Sequence, residues 1–148
     1  MERIVLIGAG SQQFGLGTIS DIFKSKILEG STIVLHDVND FALAKTKRIA
    51  DQFKEELKAK YTVEATSSRK EALRGATVCI ISIEIGKRFD LWDQDWKIPL
   101  QYGFKQIYGE NGGPGGLFHS LRIIPPILEI CDDINKICPE AFVFNFSN

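Results

Sequence analysis

The chain is 148 residues long, 44% hydrophobic and 25% charged, ordinary values for a globular domain large enough to bury its own core. A formal net charge of -1 leaves no electrostatic footprint for nucleic acid or an anionic membrane surface, and no run of residues approaches the ~18 apolar positions of a membrane span. Three cysteines, Cys79, Cys131 and Cys138, are odd in number and lack C-x-x-C spacing, so reduced thiols and a cytoplasmic setting are expected.

Met1-Glu2-Arg3 leads directly into a strand, without the pattern of a signal peptide. Ile4-Val5-Leu6-Ile7 is a run of branched apolar residues suited to a strand buried on both faces, as in a parallel sheet. Gly8 and Gly10 follow, allowing a tight turn and close approach of bare backbone to a ligand; Ser11, Gln12, Gln13 and Phe14 then open a helix whose unpaired N–H groups favour a phosphate. A full G-x-G-x-x-G pattern needs glycine at position 13, where the chain has Gln13, and Gly15 comes two residues late, so the helix is expected to sit slightly differently. The plain alternative is a strand–turn–helix corner with no ligand.

The first helix is predicted over 12–28, with Leu16, Ile19, Ile22, Phe23 and Ile27 facing the sheet. Thr32-Ile33-Val34-Leu35-His36 reads as the second strand, ending at Asp37, where a dinucleotide-binding unit carries an acid for the ribose hydroxyls. Its charge would repel a 2′-phosphate, favouring NAD over NADP; the alternative is that Asp37 or Asn39 only caps the next helix. That helix is predicted over 40–60, with Ile49, Phe53 and Leu57 inward and the pairs Glu56–Lys60 and Glu55–Lys58 on a solvated charged face. A half-polar third strand over 62–66 suits a sheet edge, a short helix covers 69–74, and a fourth strand covers 77–83 with Cys79 in the core.

Beyond Glu84, a helix is predicted from Phe89 up to Pro99, with Trp92 and Trp96 as a core or interface stripe or, in the alternative, a stacking platform for a sugar. Six of the chain's 13 glycines then fall within 103–116, a density that suits backbone closing over a ligand or, in the plain alternative, a flexible surface loop. A helix over 117–138 carries Pro125-Pro126, predicting a kink or two helical pieces, with His119 and Arg122 on one face near the glycine segment. A fifth strand covers 141–146. The alternation predicts an α/β, Rossmann-like, doubly wound parallel sheet in a single domain over 1–148, with the first and fourth strands adjacent. Five strands rather than six suggest the amino-terminal part of a longer protein, truncated before a carboxyl-terminal substrate and metal domain. The open edge suggests self-association into a homo-oligomer.

Several blocks together resemble glycoside hydrolase family 4: the Gly8-Ala9-Gly10-Ser11 turn, Asp37, Ile98-Pro99-Leu100 before Tyr102-Gly103, Gly113-Pro114-Gly115-Gly116 followed by Leu121-Arg122-Ile123-Ile124-Pro125, and the terminal Asn145-Phe146-Ser147-Asn148. The resemblance implies an NAD- and divalent-metal-dependent glycosidase, with manganese as the expected metal. Its chemistry would be oxidation at the sugar's C3, elimination, addition of water and re-reduction, outside the two-carboxylate rule. It implies that Gly8, Gly10, Ser11, Gln12, Gln13 and Phe14 hold the diphosphate, Asp37 the ribose, and that Ser82, Ile83 and Glu84 border the nicotinamide. Arg88, Glu110, Asn111 and Asn148 would contact a small-molecule glycoside, and the longer spacing from Arg88 to Ile98-Pro99-Leu100 points away from a 6-phosphate substrate. It also implies that the catalytic base and metal ligands lie beyond residue 148, so that the chain alone cleaves no glycoside and binds NAD weakly. The rival expectations are a lactate/malate-type dehydrogenase domain and a non-catalytic NAD-sensing module.

Overall fold

The computed structural model describes residues 1–11, 14–106 and 112–147. The chain divides into two compact units, residues 1–82 with 133–146 and residues 83–132 with Ser147. The first holds β1 (Arg3–Ile7), α1 (Phe14–Lys24), β2 (Thr32–His36), α2 (Asp40–Glu56), β3 (Thr62–Thr66), α3 (Arg69–Leu73), β4 (Val78–Ile81) and β5 (Phe142–Asn145). The strands form one sheet in the order β3-β2-β1-β4-β5, with every neighbouring pair parallel. This is the expected Rossmann-like order, with β1 beside β4 and the half-polar β3 at an edge.

The unbroken apolar run of β1 is covered on both faces. Ile4 and Leu6 join Ile33 and Leu35 of β2 in a cluster with Ile19, Ile22 and Phe23 of α1 and Leu43 and Ala50 of α2. Val5 and Ile7 alternate with them and are equally buried, as are Cys79 and Ile81 of β4. Cys79 is thus a core residue, as is Cys138.

Helix ends depart from the expectations for identifiable reasons. α1 stops at Lys24, and Ile27 is 95% exposed rather than inward. The hydroxyl of Tyr61 lies 2.7 and 2.6 Å from the carbonyls of Ile22 and Ser25 and shares its one proton between them, while the Ile22 carbonyl also accepts the Ser25 N–H at 3.0 Å, closing the end of the helix. α2 stops at Glu56 rather than Lys60. Lys58 takes a left-handed conformation (φ 49°), and the Ala59 N–H returns to the Lys54 carbonyl at 2.9 Å, a Schellman-type ending. The helical spacing needed for Glu55–Lys58 and Glu56–Lys60 is therefore lost: Lys60 pairs with Glu29 at 3.1 Å, and Leu57 is exposed. The buried face of α2 is Leu43, Thr46 and Ala50.

The second unit contains α4 (Arg88–Gln101) and most of α5 (Gly113–Ile137), whose last residues are counted in the first unit. α4 runs two residues past Pro99. Pro99 has no N–H for the Asp95 carbonyl, and that carbonyl instead accepts from the Gln106 side-chain amide at 3.2 Å. The Asp95 carboxylate takes both arms of the Arg122 guanidinium from α5. Arg122 is thus an interhelix tie, and His119 is buried. α5 is one helix through Pro125 and Pro126 rather than two pieces, and it starts earlier than expected. Gly113-Pro114-Gly115-Gly116 is its first turn, not a loop: Gly113 (φ 62°) provides the left-handed entry, and proline is tolerated in a first turn, where no N–H is needed.

Candidate functional site

The site grows from the junction of β1 and α1. Gly8 (φ 91°) turns the chain off the strand, and the Gly8 and Ala9 N–H groups both donate to the His36 carbonyl at the end of β2, at 2.9 and 3.0 Å. Gly10 and Asp37, 27 positions apart, meet there: the Gly10 N–H donates to Asp37 Oδ2 at 2.8 Å. The other carboxylate oxygen accepts the Asn39 N–H at 2.9 Å. Asn39, not Asp37, caps α2, through its side-chain oxygen and the Ala42 N–H at 3.0 Å. A Cβ on Gly10 would lie 2.7 Å from Asp37 Oδ2, so the contact requires glycine.

Ser11 closes the turn twice. Its N–H donates to the Gly8 carbonyl at 3.2 Å, and its hydroxyl accepts the Phe14 N–H at a long 3.4 Å. Its carbonyl also accepts the Gly15 N–H at 3.0 Å. A Cβ on Gly15 would be driven into the Ala9 carbonyl oxygen, so this glycine lets the helix pack against the turn, the task of the third glycine in the full pattern. The sequence signal was present but displaced by two positions. The ring of Phe14 packs on that of Phe146, just after β5, with centroids 5.1 Å apart.

Ser82 follows β4 beside this turn, its N–H donating to the Ile7 carbonyl at 2.9 Å. In the second unit, the Ile83 N–H donates to the Ser147 hydroxyl at 2.9 Å. Glu84 accepts the Ile85 N–H at 3.2 Å through one carboxylate oxygen and approaches Arg88 Nε to 3.5 Å with the other. Arg88 opens α4 with its guanidinium carbon 4.1 Å from the centre of the Trp92 ring, so Trp92 serves an arginine rather than a packing stripe alone. Gln12, Gln13, Glu110, Asn111 and Asn148 lie outside the described residues. Sequence reasoning missed Tyr61, Gln106 and Asp95, whose parts depend on contacts between elements.

Chemically, the β1–α1 turn offers side-chain-free backbone at Gly8 and Gly10 beside a half-buried carboxylate, a shape suited to a diphosphate next to a hydroxylated sugar. Burial pushes the Cys79 thiol up to about 12, with the Cys138 thiol adding to the effect, and burial also raises Cys138; neither is poised as a nucleophile. Among the described residues, no group of three or more His, Cys, Asp or Glu side chains is gathered as a metal site, and none of their helices is long and apolar enough to cross a membrane.

Known proteins are similar to this chain along nearly its whole length. An α-glucosidase from Erwinia rhapontici is 62% identical over 146 residues, covering 99% of this chain and 32% of its own length. An α-galacturonidase from Thermoanaerobacter italicus is 38% identical over 146 residues, covering 99% of this chain and 31% of its own. The 6-phospho-β-glucosidase of Thermotoga maritima, solved with manganese, NAD+ and glucose-6-phosphate, superposes with a TM-score of 0.80 at 25% identity, covering 99% of this chain and 34% of that one. The chain thus spans about a third of the length of the curated relatives it matches. Residues 3–148 match the model of the family 4 glycosyl hydrolases, so the glycine turn belongs to a glycosidase lineage rather than to a lactate- or malate-type dehydrogenase, and the chain is a member of glycoside hydrolase family 4.

Proposed function

We propose that residues 1–148 are the NAD-binding amino-terminal domain of a parent enzyme that hydrolyses a neutral α-glucoside. The observation that carries this is the meeting of Gly10 and Asp37 at the head of α1. An ionised carboxylate has about four acceptor sites. Asp37 uses one on each oxygen for backbone, leaving acceptor capacity for ribose hydroxyls. Its charge opposes a 2′-phosphate, favouring NAD over NADP.

Gly8, Gly10, Ser11, Gln12, Gln13 and Phe14 form the diphosphate cradle, and Ser82, Ile83 and Glu84 border the nicotinamide. Arg88, Glu110, Asn111 and Asn148 meet the sugar. NAD, when bound, supplies a hydride acceptor that oxidises the sugar and so acidifies the C–H beside the new carbonyl. The α-glucoside assignment draws on the 62% identity to the Erwinia α-glucosidase. Manganese serves the parent through ligands outside this chain, and the 148-residue chain by itself does not turn over glycosides.

The parent works in the cytoplasm as a homo-oligomer. The three free cysteines of residues 1–148 suit a reducing compartment. Leu117, Leu121, Ile124 and Leu128 form an exposed stripe on α5 at alternating spacings of four and three, suited to helix pairing. Light scattering that reads a monomer for the parent contradicts the oligomer, and recovery of the native protein outside the cytoplasmic fraction contradicts the compartment.

The catalytic reading is tested by hydrolysing an α-glucoside with the NAD- and manganese-loaded parent in heavy water. Oxidation next to C2 makes that proton exchangeable, so the released glucose carries deuterium at C2. Glucose without deuterium at C2 contradicts the mechanism.

A further inference from the structure

Arg88 sits where helix energetics disfavour it. It is the first residue of α4, a cation at the positive end of a helix dipole, and the preceding Lys87 makes no side-chain capping bond. Two neighbours nevertheless hold it. The flat face of the guanidinium lies over the indole of Trp92, 4.1 Å from the ring centre, one helical turn away. Its Nε edge faces Glu84 at 3.5 Å, and Glu84 is anchored by the Ile85 N–H. Trp92 is in turn fixed by Phe89, which meets it edge-on at 5.9 Å and 86°.

One face and one edge of a planar group fix its orientation. We propose that Trp92 is a positioning residue for Arg88, setting the guanidinium plane so that the arginine meets the substrate sugar in a single direction. This rests on the proposal that Arg88 contacts the substrate. Trp92 acts through Arg88: it lowers the entropy that Arg88 loses when a glycoside binds, an effect expected in KM rather than in kcat.

The test uses the full-length parent, loaded with NAD and manganese, and a chromogenic α-glucoside. Arg88→Ala is expected to raise KM by about tenfold or more. Trp92→Leu is expected to raise KM by about two- to fivefold with kcat nearly unchanged, and Trp92→Phe, which keeps an aromatic face, recovers most of the loss. In the Arg88→Ala background, Trp92→Leu is expected to add nothing further. If Trp92→Leu fails to fold, Trp92→Met removes the aromatic face with a similarly flexible apolar chain and carries the same expectation.

If Arg88→Ala leaves KM unchanged, the substrate role of Arg88 and the role of Trp92 fall together. If Arg88→Ala raises KM but Trp92→Leu does not, or raises it equally with and without Arg88, the positioning role alone is overturned and the substrate role of Arg88 stands.

Discussion

One methyl group separates two glycines of the same helix. At Gly15 a Cβ would strike the Ala9 carbonyl oxygen, whereas at Gly17 it would meet nothing within 4 Å. Ala is favoured over Gly in a helix by about 1 kcal/mol, so Gly17→Ala is expected to raise stability by roughly that amount. Gly15→Ala is expected to lower it despite the same helical gain, because backbone rather than a flexible side chain must move. Denaturant titration of both variants checks the opposite signs. The buried thiols give a second prediction. Because Cys79 is held up to about 12 and Cys138 is also raised, the unfolded chain releases these protons first as the pH climbs. The contribution is complete below the ordinary thiol range of about 8.5 and is lost as pH rises toward 12. Stability should therefore fall more steeply above pH 9 in the native chain than in a Cys79→Ala, Cys138→Ala variant, as read by melting temperature against pH.

The elements were legible from their periodicity, and their ends were not. Every strand and helix expected from the sequence is present, since runs such as Ile4-Val5-Leu6-Ile7 and the apolar spacing of Ile19, Ile22 and Phe23 encode burial directly. The stops depend on partners remote in sequence. Tyr61 ends α1 from 36 and 39 positions away, and Gln106 supports α4 past its proline from 11. Lys58 ends α2 in a conformation for which glycine would have been the sequence signal. Removing the Tyr61 hydroxyl tests this account. Tyr61→Phe keeps the ring against Phe23, 5.3 Å away, but takes a donor from two carbonyls, of which Ile22 keeps the Ser25 N–H at 3.0 Å while Ser25 loses the hydroxyl it faces. A loss of about 1–2 kcal/mol is expected in chemical unfolding, and no loss contradicts the role given to the hydroxyl.

At the scale of the molecule, strand order followed from the alternation of β and α and from right-handed crossovers, and those same rules bring Gly10 to Asp37. The glycine turn and the acid were therefore readable before any coordinates. Gly15 was visible but out of place, and its packing task showed only in its contact with the Ala9 carbonyl; the Glu84–Arg88–Trp92 arrangement was not readable, because it depends on the side chains' surroundings rather than their type. The most direct test of the central claim is calorimetric titration of the full-length parent with NAD, with and without Asp37→Ala. Losing a charged acceptor that also braces the Gly10 turn predicts about a ten- to hundredfold weaker affinity in the variant. Equal affinity for NAD in the two proteins, each shown to be folded, would contradict the account.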